Sequence, residues 1–547
     1  MSKRSRHRYS VLLGGASIAL LAGPESTQAS FYWDTDATTS GIQGGSGTWA
    51  AGSTNFTTTS DGSGTHGGGP TSATSGNDTF FSYGTLPSAS YSVTVAGALS
   101  TAGMTFNDTG YTLSTSSGTS TITLGGTGVV VAAGKTATIG SGVKLTRSAG
   151  VGTSGGGTLN IATNATLESS SSTSTFNIFS GPTTATVNVN GGAIQTGGGS
   201  ILVSNGGTLT LTSGTITTPV GKTLAISDTT NGIVNLNGGT LLTGQISKAA
   251  GSGTATLNFA GGVLKAAASD TPSAAATTFL TGLTTANVKD GGAIVDTASF
   301  NVTIAQALVH FANATTDGLR KISPGTLTLS GANTYSGLTD VQGGTLTLAG
   351  SAIGTVSGDI HVASSATFTP GGTFTVAANK TLSGSGTVSN SVVASGATLS
   401  PGDTSGVLTV QGGLTLNSAS ILNFDLATAA STTDDQIALS TAANRLLVLD
   451  GTLNITNAGG FGPGVYTLIS GATGITDQGL LIGTAPAGYT YTFSTAGSDV
   501  LLTVAAPEPA SLAMVIMTVG GLLARRRRSV RSDLENSRPT QGVSDEA

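Results

Sequence analysis

The sequence predicts an all-β protein, a solenoid in which short strands stack as a parallel β-helix. Three observations carry this. Of 547 residues, 83 are Gly, 66 Ser and 93 Thr, together 44% of the chain, a composition of turns and exposed pleats rather than helices. Short apolar–Thr alternations recur, as in Thr345-Leu346-Thr347-Leu348, where every second residue is apolar, the period of a half-buried strand. Gly-Gly or Asn-Gly opens many of these strands and supplies the positive φ of a sharp turn. Charged residues are 9%, hydrophobic residues 37% and Cys is absent, which excludes a charge-rich disordered chain and a disulfide scaffold. With 14 Pro and no three-residue Gly period, collagen is excluded as well.

The first element is an address. Lys3, Arg4, Arg6 and Arg8 precede an apolar stretch from Val11 to Gly23, followed by Pro24 and the small-x-small site Thr27-Gln28-Ala29. This is the pattern of a secretory signal helix over residues 1–29, with cleavage after Ala29. The body is therefore expected outside the inner membrane, where the absence of Cys removes any dependence on redox state.

Residues 31–76 hold both Trp33 and Trp49 and are expected to cap the first coil. Residues 77–399 form the repeat body. Gly pairs begin at 191, 206, 238, 261, 291, 343, 371 and 412, an irregular spacing that suits one or two coils of roughly 20 residues better than a propeller blade. Each coil would bury its inward Leu, Val, Ile and Phe against the coils on either side. The Ala-rich run 266–278 is expected to loop outward. Residues 400–504, with longer apolar strands, are expected to form a C-terminal β cap or small β-sandwich.

Chemistry is sparsely supplied. Between Phe31 and Ala506 lie 11 basic and 20 acidic residues, of which Glu168 is the only Glu, so no basic stripe marks a nucleic-acid partner. His66, His310 and His361 are far apart in sequence and are expected in solvated or loop positions. Asp434-Asp435 is the best local carboxylate pair, but adjacent residues on a strand face opposite ways, and a polar turn is the expected role. GTSGG from Gly152 and the GKT triplets at Gly134 and Gly221 lack the flanking strand or first Gly that a nucleophile elbow or phosphate loop needs. No catalytic residue, metal site or cofactor is expected.

The last element is a second address. Pro507-Glu508-Pro509 is followed by the apolar run Ala510 to Ala524 and then by Arg525, Arg526, Arg527 and Arg528, with a polar tail over 529–547. Fifteen helical residues span about 22 Å, a marginal single transmembrane helix over 510–524 whose arginines would hold that end in the cytoplasm. The segment 507–528 resembles the PEP-CTERM sorting signal of bacteria. The resemblance implies that Pro507, Glu508 and Pro509 are read by an exosortase-type processing enzyme and that Arg525 to Arg528 are the membrane stop. Such signals usually end soon after the basic cluster, whereas this tail continues.

Residues 325–350, GTLTLSGANTYSGLTDVQGGTLTLAG, resemble the autotransporter-associated β-strand repeat, with Gly331, Asn333, Tyr335, Ser336, Gly337, Gly343, Gly344 and Leu346 on its pattern. That resemblance implies a right-handed β-helix serving as an exported passenger or stalk, and not an enzyme. Tyr335 is expected to pack between coils. A C-terminal transporter barrel is not expected after Val504.

The expectation from sequence is an exported structural protein, membrane-anchored at first and then on the cell surface or in the extracellular matrix, without enzymatic activity. An adhesin or glycan-binding stalk, with extracellular polysaccharide as partner, is the alternative. A β-helix polysaccharide lyase or hydrolase comes third, because the fold hosts such enzymes.

Overall fold

The structure, a computed structural model, describes residues 30–507 apart from residues 37, 39–41, 64–65, 68, 71–77, 83–89, 149–153, 180–183, 271–277, 430–433 and 441–442. Ala29, Glu508, Pro509, the run 510–524 and Arg525 to Arg528 lie outside the described residues, as does most of the Ala-rich run. Pro507 is exposed, two residues past the last strand, Asp499–Ala505. Among the described residues the chain is strand and turn with one short 3-10 helix, Gly350–Ala352, and no helix is long and apolar enough to cross a membrane.

The chain divides into two compact units, one running to Asn258 and including Gly282–Thr284, the other made of Phe259–Thr281 and the chain from Thr285. In both, strands pair almost entirely in parallel, and residues that recur once per coil stand in columns. These are the long parallel ladders of a β-helical solenoid.

In the first unit one inward column runs Val93, Leu113, Ile139, Ile161, Val189, Leu211, Leu236. A second face carries Leu99, Ile122, Leu145, Leu167, Ile194, Ile216, Leu241. A third carries Phe176, Ile201, Leu224 and Ile246. Every one of these side chains is buried. Successive partners are 20 to 28 residues apart, longer than the roughly 20 the Gly spacing suggests, because coils differ in their corner loops while strand register is kept. Burying each Leu, Ile or Val contributes roughly 1.5–3 kcal/mol, so the core grows with each coil although Trp and Phe are few.

The outward side of the first ladder holds itself together through amides. Asn188 Nδ2 donates to Asn160 Oδ1 at 3.0 Å, Asn235 Nδ2 to Thr210 Oγ1 at 3.1 Å and Asn258 Nδ2 to Asn235 Oδ1 at 2.7 Å. The start of the unit is aromatic instead. Phe31–Trp33 pairs in parallel with Asp78–Phe81 and antiparallel with Phe56–Thr57. Trp33 and Trp49 both pack edge-on against Phe56, with ring centroids 5.1 and 5.7 Å away, while Phe81 stacks on Phe106 at 4.7 Å.

In the second unit one inward column runs Leu264, Val295, Lys321, Val341, Val362. Lys321 occupies an apolar position there. Another column runs Val302, Leu327, Leu346, Phe368, Val388, Val410, Leu439, and a third runs Phe374, Val392, Leu414, Leu447, Ile475. The parallel register continues well past Ser400, to Leu481–Ile482 beside Thr452–Asn457. The pairing reverses at the end of the ladder that carries Val302 to Leu439: there Asp499–Ala505 lies antiparallel between Gly464–Ser470 and Thr490–Ala496.

Candidate functional site: an ionic row on an outward face

Parallel register dictates which polar residues meet. On the outward side of the Lys321 ladder, pairing puts Ile294, Arg320, Asp340, His361, Ser383 and Ser400 in one file across successive strands. Residues far apart in sequence become neighbours about 4.8 Å apart.

Three of them form a charged row. Arg320 Nε lies 3.4 Å from Asp340 Oδ2, and His361 Nδ1 lies 2.8 Å from Asp340 Oδ1, which also accepts from Gln342 Nε2 at 2.7 Å. On its far side His361 Nε2 lies 2.6 Å from Asp403 Oδ1. A neutral imidazole has one donor and one acceptor nitrogen, whereas ionised carboxylates only accept. Two such contacts therefore call for the imidazolium. Burial of the ring opposes that charge, but the hydrogen bonds and charges of Asp403 and Asp340 outweigh it and raise the histidine pKa.

Beside the row, Gly291, Gly292, Ala293, Ile294, Gly318 and Leu338 floor a shallow depression that also reaches Arg320 and Asp340. Leu338 is an exposed apolar side chain there. Two aspartates, an arginine and a histidine thus come together, the residue types on which a polysaccharide-cleaving site would draw. Their bonds run along the sheet to one another, and both ring nitrogens of His361 are engaged by the two carboxylates.

Among the described residues the two other histidines also meet carboxylates, and His310 is exposed as expected. His310 Nδ1 is 2.7 Å from Asp317 Oδ2, while Ser336 Oγ donates to Asp317 Oδ1 at 3.2 Å. The aspartate lies between serine and histidine, so the order needed for a nucleophilic triad is not met. His66 Nε2 approaches the buried Asp34 Oδ2 to 3.2 Å. The signal that sequence reading lacked was register, which brings Asp340 to His361 across 21 residues; Asp403 reaches the same ring across 42 from the loop after Thr398–Pro401.

Asp434 and Asp435 stand in the bend directly ahead of the strand Gln436–Leu439, where a polar turn is expected, and their side chains are buried. Asp434 Oδ1 accepts from Ala427 N at 2.6 Å, while Asp435 accepts from Gly406 N at 3.0 Å and Asp425 N at 2.8 Å. Burial pushes the Asp435 carboxyl up to about 6, aided by the nearby charges of Asp425 and Asp434 and opposed by its backbone donors. The pair staples backbone corners. Arg147 and Arg445 do similar work, donating to the carbonyls of Gly126 and Gly471.

Lys321 closes another corner. Its Nζ donates to Thr297 Oγ1 at 2.9 Å and to the carbonyls of Ile322, Ser323 and Gly343 at 3.2, 2.6 and 2.8 Å. Burial lowers its pKa to about 8, against the pull of Asp296. Gly344, at φ +63°, is required beside it, since a Cβ there would press on the Gly325 carbonyl and lie 3.0 Å from Nζ. Nearby, Tyr335 is buried with its hydroxyl 3.1 Å from Thr339 Oγ1, and Asn333 Oδ1 accepts from Leu308 N at 3.0 Å.

Lys321, Asn333, Tyr335, Thr339 and Gly344 share one segment. Residues 319–348 match the Passenger-associated-transport-repeat family. The chain carries an autotransporter-associated repeat. Over 89 residues it is also 40% identical to the Adhesin BmaC autotransporter of Brucella suis biovar 1 (strain 1330). That alignment covers 15% of this chain and 2% of the length of that protein. The repeat is thus a local likeness, and it holds the buried Lys321, Tyr335 and two members of the ionic row.

Proposed function

We propose that the chain is an exported, non-enzymatic stalk displayed at the cell surface or in the extracellular matrix. The observation that carries this is the use of its side chains. Inward columns are almost wholly apolar, and much of the polar chemistry holds neighbouring coils together, as in the Asn160–Asn188 ladder, the Lys321 corner and the Asp435 staple. A stalk needs that allocation; an enzyme needs groups held ready for substrate. The autotransporter-associated repeat supports the same reading.

In this proposal the helix winds right-handed, the signal helix is removed after Ala29, and the span 510–524 holds the chain in the inner membrane with Arg525 to Arg528 as its stop. An exosortase-type enzyme then reads Pro507-Glu508-Pro509, which the exposure of Pro507 beyond the last strand would favour. No cofactor or nucleic acid takes part. Protease shaving of intact cells should release fragments of the body, and intact-mass measurement of the surface material should show a chain lacking Arg525 to Ala547. Material retaining that tail would refute the processing step, and a body protected from protease would refute display.

The adhesin reading is favoured by one feature, the depression with exposed Leu338 beside Arg320 and Asp340, and by the printed name of the similar protein. A glycan array probed with the secreted body decides between them. Saturable binding to one sugar class, weakened by Leu338→Ala, would make extracellular polysaccharide the partner and replace the scaffold-only view.

A further inference from the structure

The contact between His361 and Asp403 has an unusual span. Ile360–Val362 pairs with Thr381–Gly384, and Thr381–Gly384 pairs with Thr398–Pro401. His361 and the strand leading to Asp403 are therefore not neighbours; a whole coil, carrying Ser383, lies between them. Asp403 reaches back over that coil. The loop that carries it is fixed at one end by Gly402 N donating to Gly384 O at 3.0 Å and at the other by Gly406 N donating to Asp435 Oδ1 at 3.0 Å. Among the described residues, Asp403, Thr404 and Ser405 make no hydrogen bond except the one that Asp403 Oδ1 accepts from His361 Nε2.

We propose that residues 402–406 form a proton-controlled strap, clasped over the outward face while both ring nitrogens of His361 carry hydrogen and released when one is lost. The clasp depends on charge and geometry together. A neutral His361 can donate to one carboxylate only, and the two compete. Asp340 lies on the adjacent strand, is the better buried of the two, and is further held by Arg320 and Gln342; the side chain of Asp403 is 53% exposed on its loop. His361 keeps its Nδ1 proton, donated to Asp340, and Asp403 lets go. The charged groups facing His361 are these two carboxylates, with Arg320 facing Asp340 from beyond; Asp425 and Asp434 face Asp435 at the other anchor.

Because the histidine pKa is raised above its ordinary 6.5, the clasp holds in mildly acidic medium and is lost as pH rises through a midpoint above that value. Release uncovers Ser383 and leaves His361 Nε2 as an open acceptor, so the outward face gains a polar strip in less acidic medium.

The chain has no Cys, so Thr404→Cys offers a single labelling point in the exposed strap. A spin label there, read by electron paramagnetic resonance across the pH range, should pass from a mainly immobile to a mainly mobile spectrum in a one-proton transition above 6.5. With Asp403→Ala the label should be mobile at every pH, and with His361→Gln likewise, provided far-UV circular dichroism shows that variant folded. Mobility that does not change with pH in the unaltered strap, or a transition that persists in either clasp variant, would overturn the proposal.

Discussion

Lys321→Met tests how the second unit tolerates a charge in an apolar column. Met nearly matches the lysine stem in length, so the packing between Val295 and Val341 is kept. What is lost is an ammonium shared among Thr297 Oγ1 and three carbonyls, leaving those of Ser323 and Gly343 short of a donor. Unpaired buried acceptors cost about 1–3 kcal/mol each, partly offset by removing a desolvated charge, so at about pH 7 the variant should be less stable by about 1–3 kcal/mol. The pH dependence is more diagnostic. The lysine pKa is lowered from 10.5 to about 8, so between those values the unfolded chain binds the extra proton and stability rises with pH. By about pH 9.5 this group should add about 2 kcal/mol to the wild type and nothing to Lys321→Met. Tyr335, pushed up to about 12 by burial, acts in the opposite sense only once an unfolded tyrosine begins to ionise near 10. Guanidinium unfolding followed by far-UV circular dichroism, run on both proteins at the two pH values, gives the comparison. A gap that stays constant or narrows on going alkaline would refute the account of Lys321 as a desolvated cation.

Two further outcomes follow from the columns and the staple. Leu346→Ala removes three carbons between Leu327 and Phe368, which their own ladders hold in place, so it should cost about 3–4 kcal/mol in chemical denaturation, whereas outward Thr347→Ala should change stability by less than about 0.5 kcal/mol. Asp435, raised from 3.8 to about 6, makes the folded state bind the extra proton between those values, so stability falls as pH rises through that window, by up to about 3 kcal/mol. Unfolding measured at both edges of the window should show the fall in the wild type and its loss in Asp435→Asn.

What could be read from sequence was whatever repeats locally. Alternation in Thr345–Leu348 announces a strand, and Gly343-Gly344 announces the turn before it, because both are decided within a few residues. Register was not legible. Corner loops vary in length, so partners in one column stand 17 residues apart at Leu382 and Leu399 but 31 apart at Leu422 and Leu453. Without register the Asp340–His361–Asp403 row could not be found, and the histidines looked solitary. Lys321 was hidden for another reason. A lysine interrupts an apolar pattern, and only the convergence of four oxygens around its Nζ explains why it faces inward. The Asp pair lies in the bend expected before its strand, but the backbone donors from Gly406, Asp425 and Ala427 that surround it leave no local signal.

The aromatic start of the first unit has an optical consequence. Trp33 and Trp49 are the only two tryptophans of the chain, and both are fully buried against Phe56. Indole emission therefore reports on one end of one unit and is blind to the coils that follow. A red shift in that emission at low denaturant, before the far-UV signal changes, would register fraying of the aromatic end alone, giving the protein an intrinsic gauge of where along the stack unfolding begins.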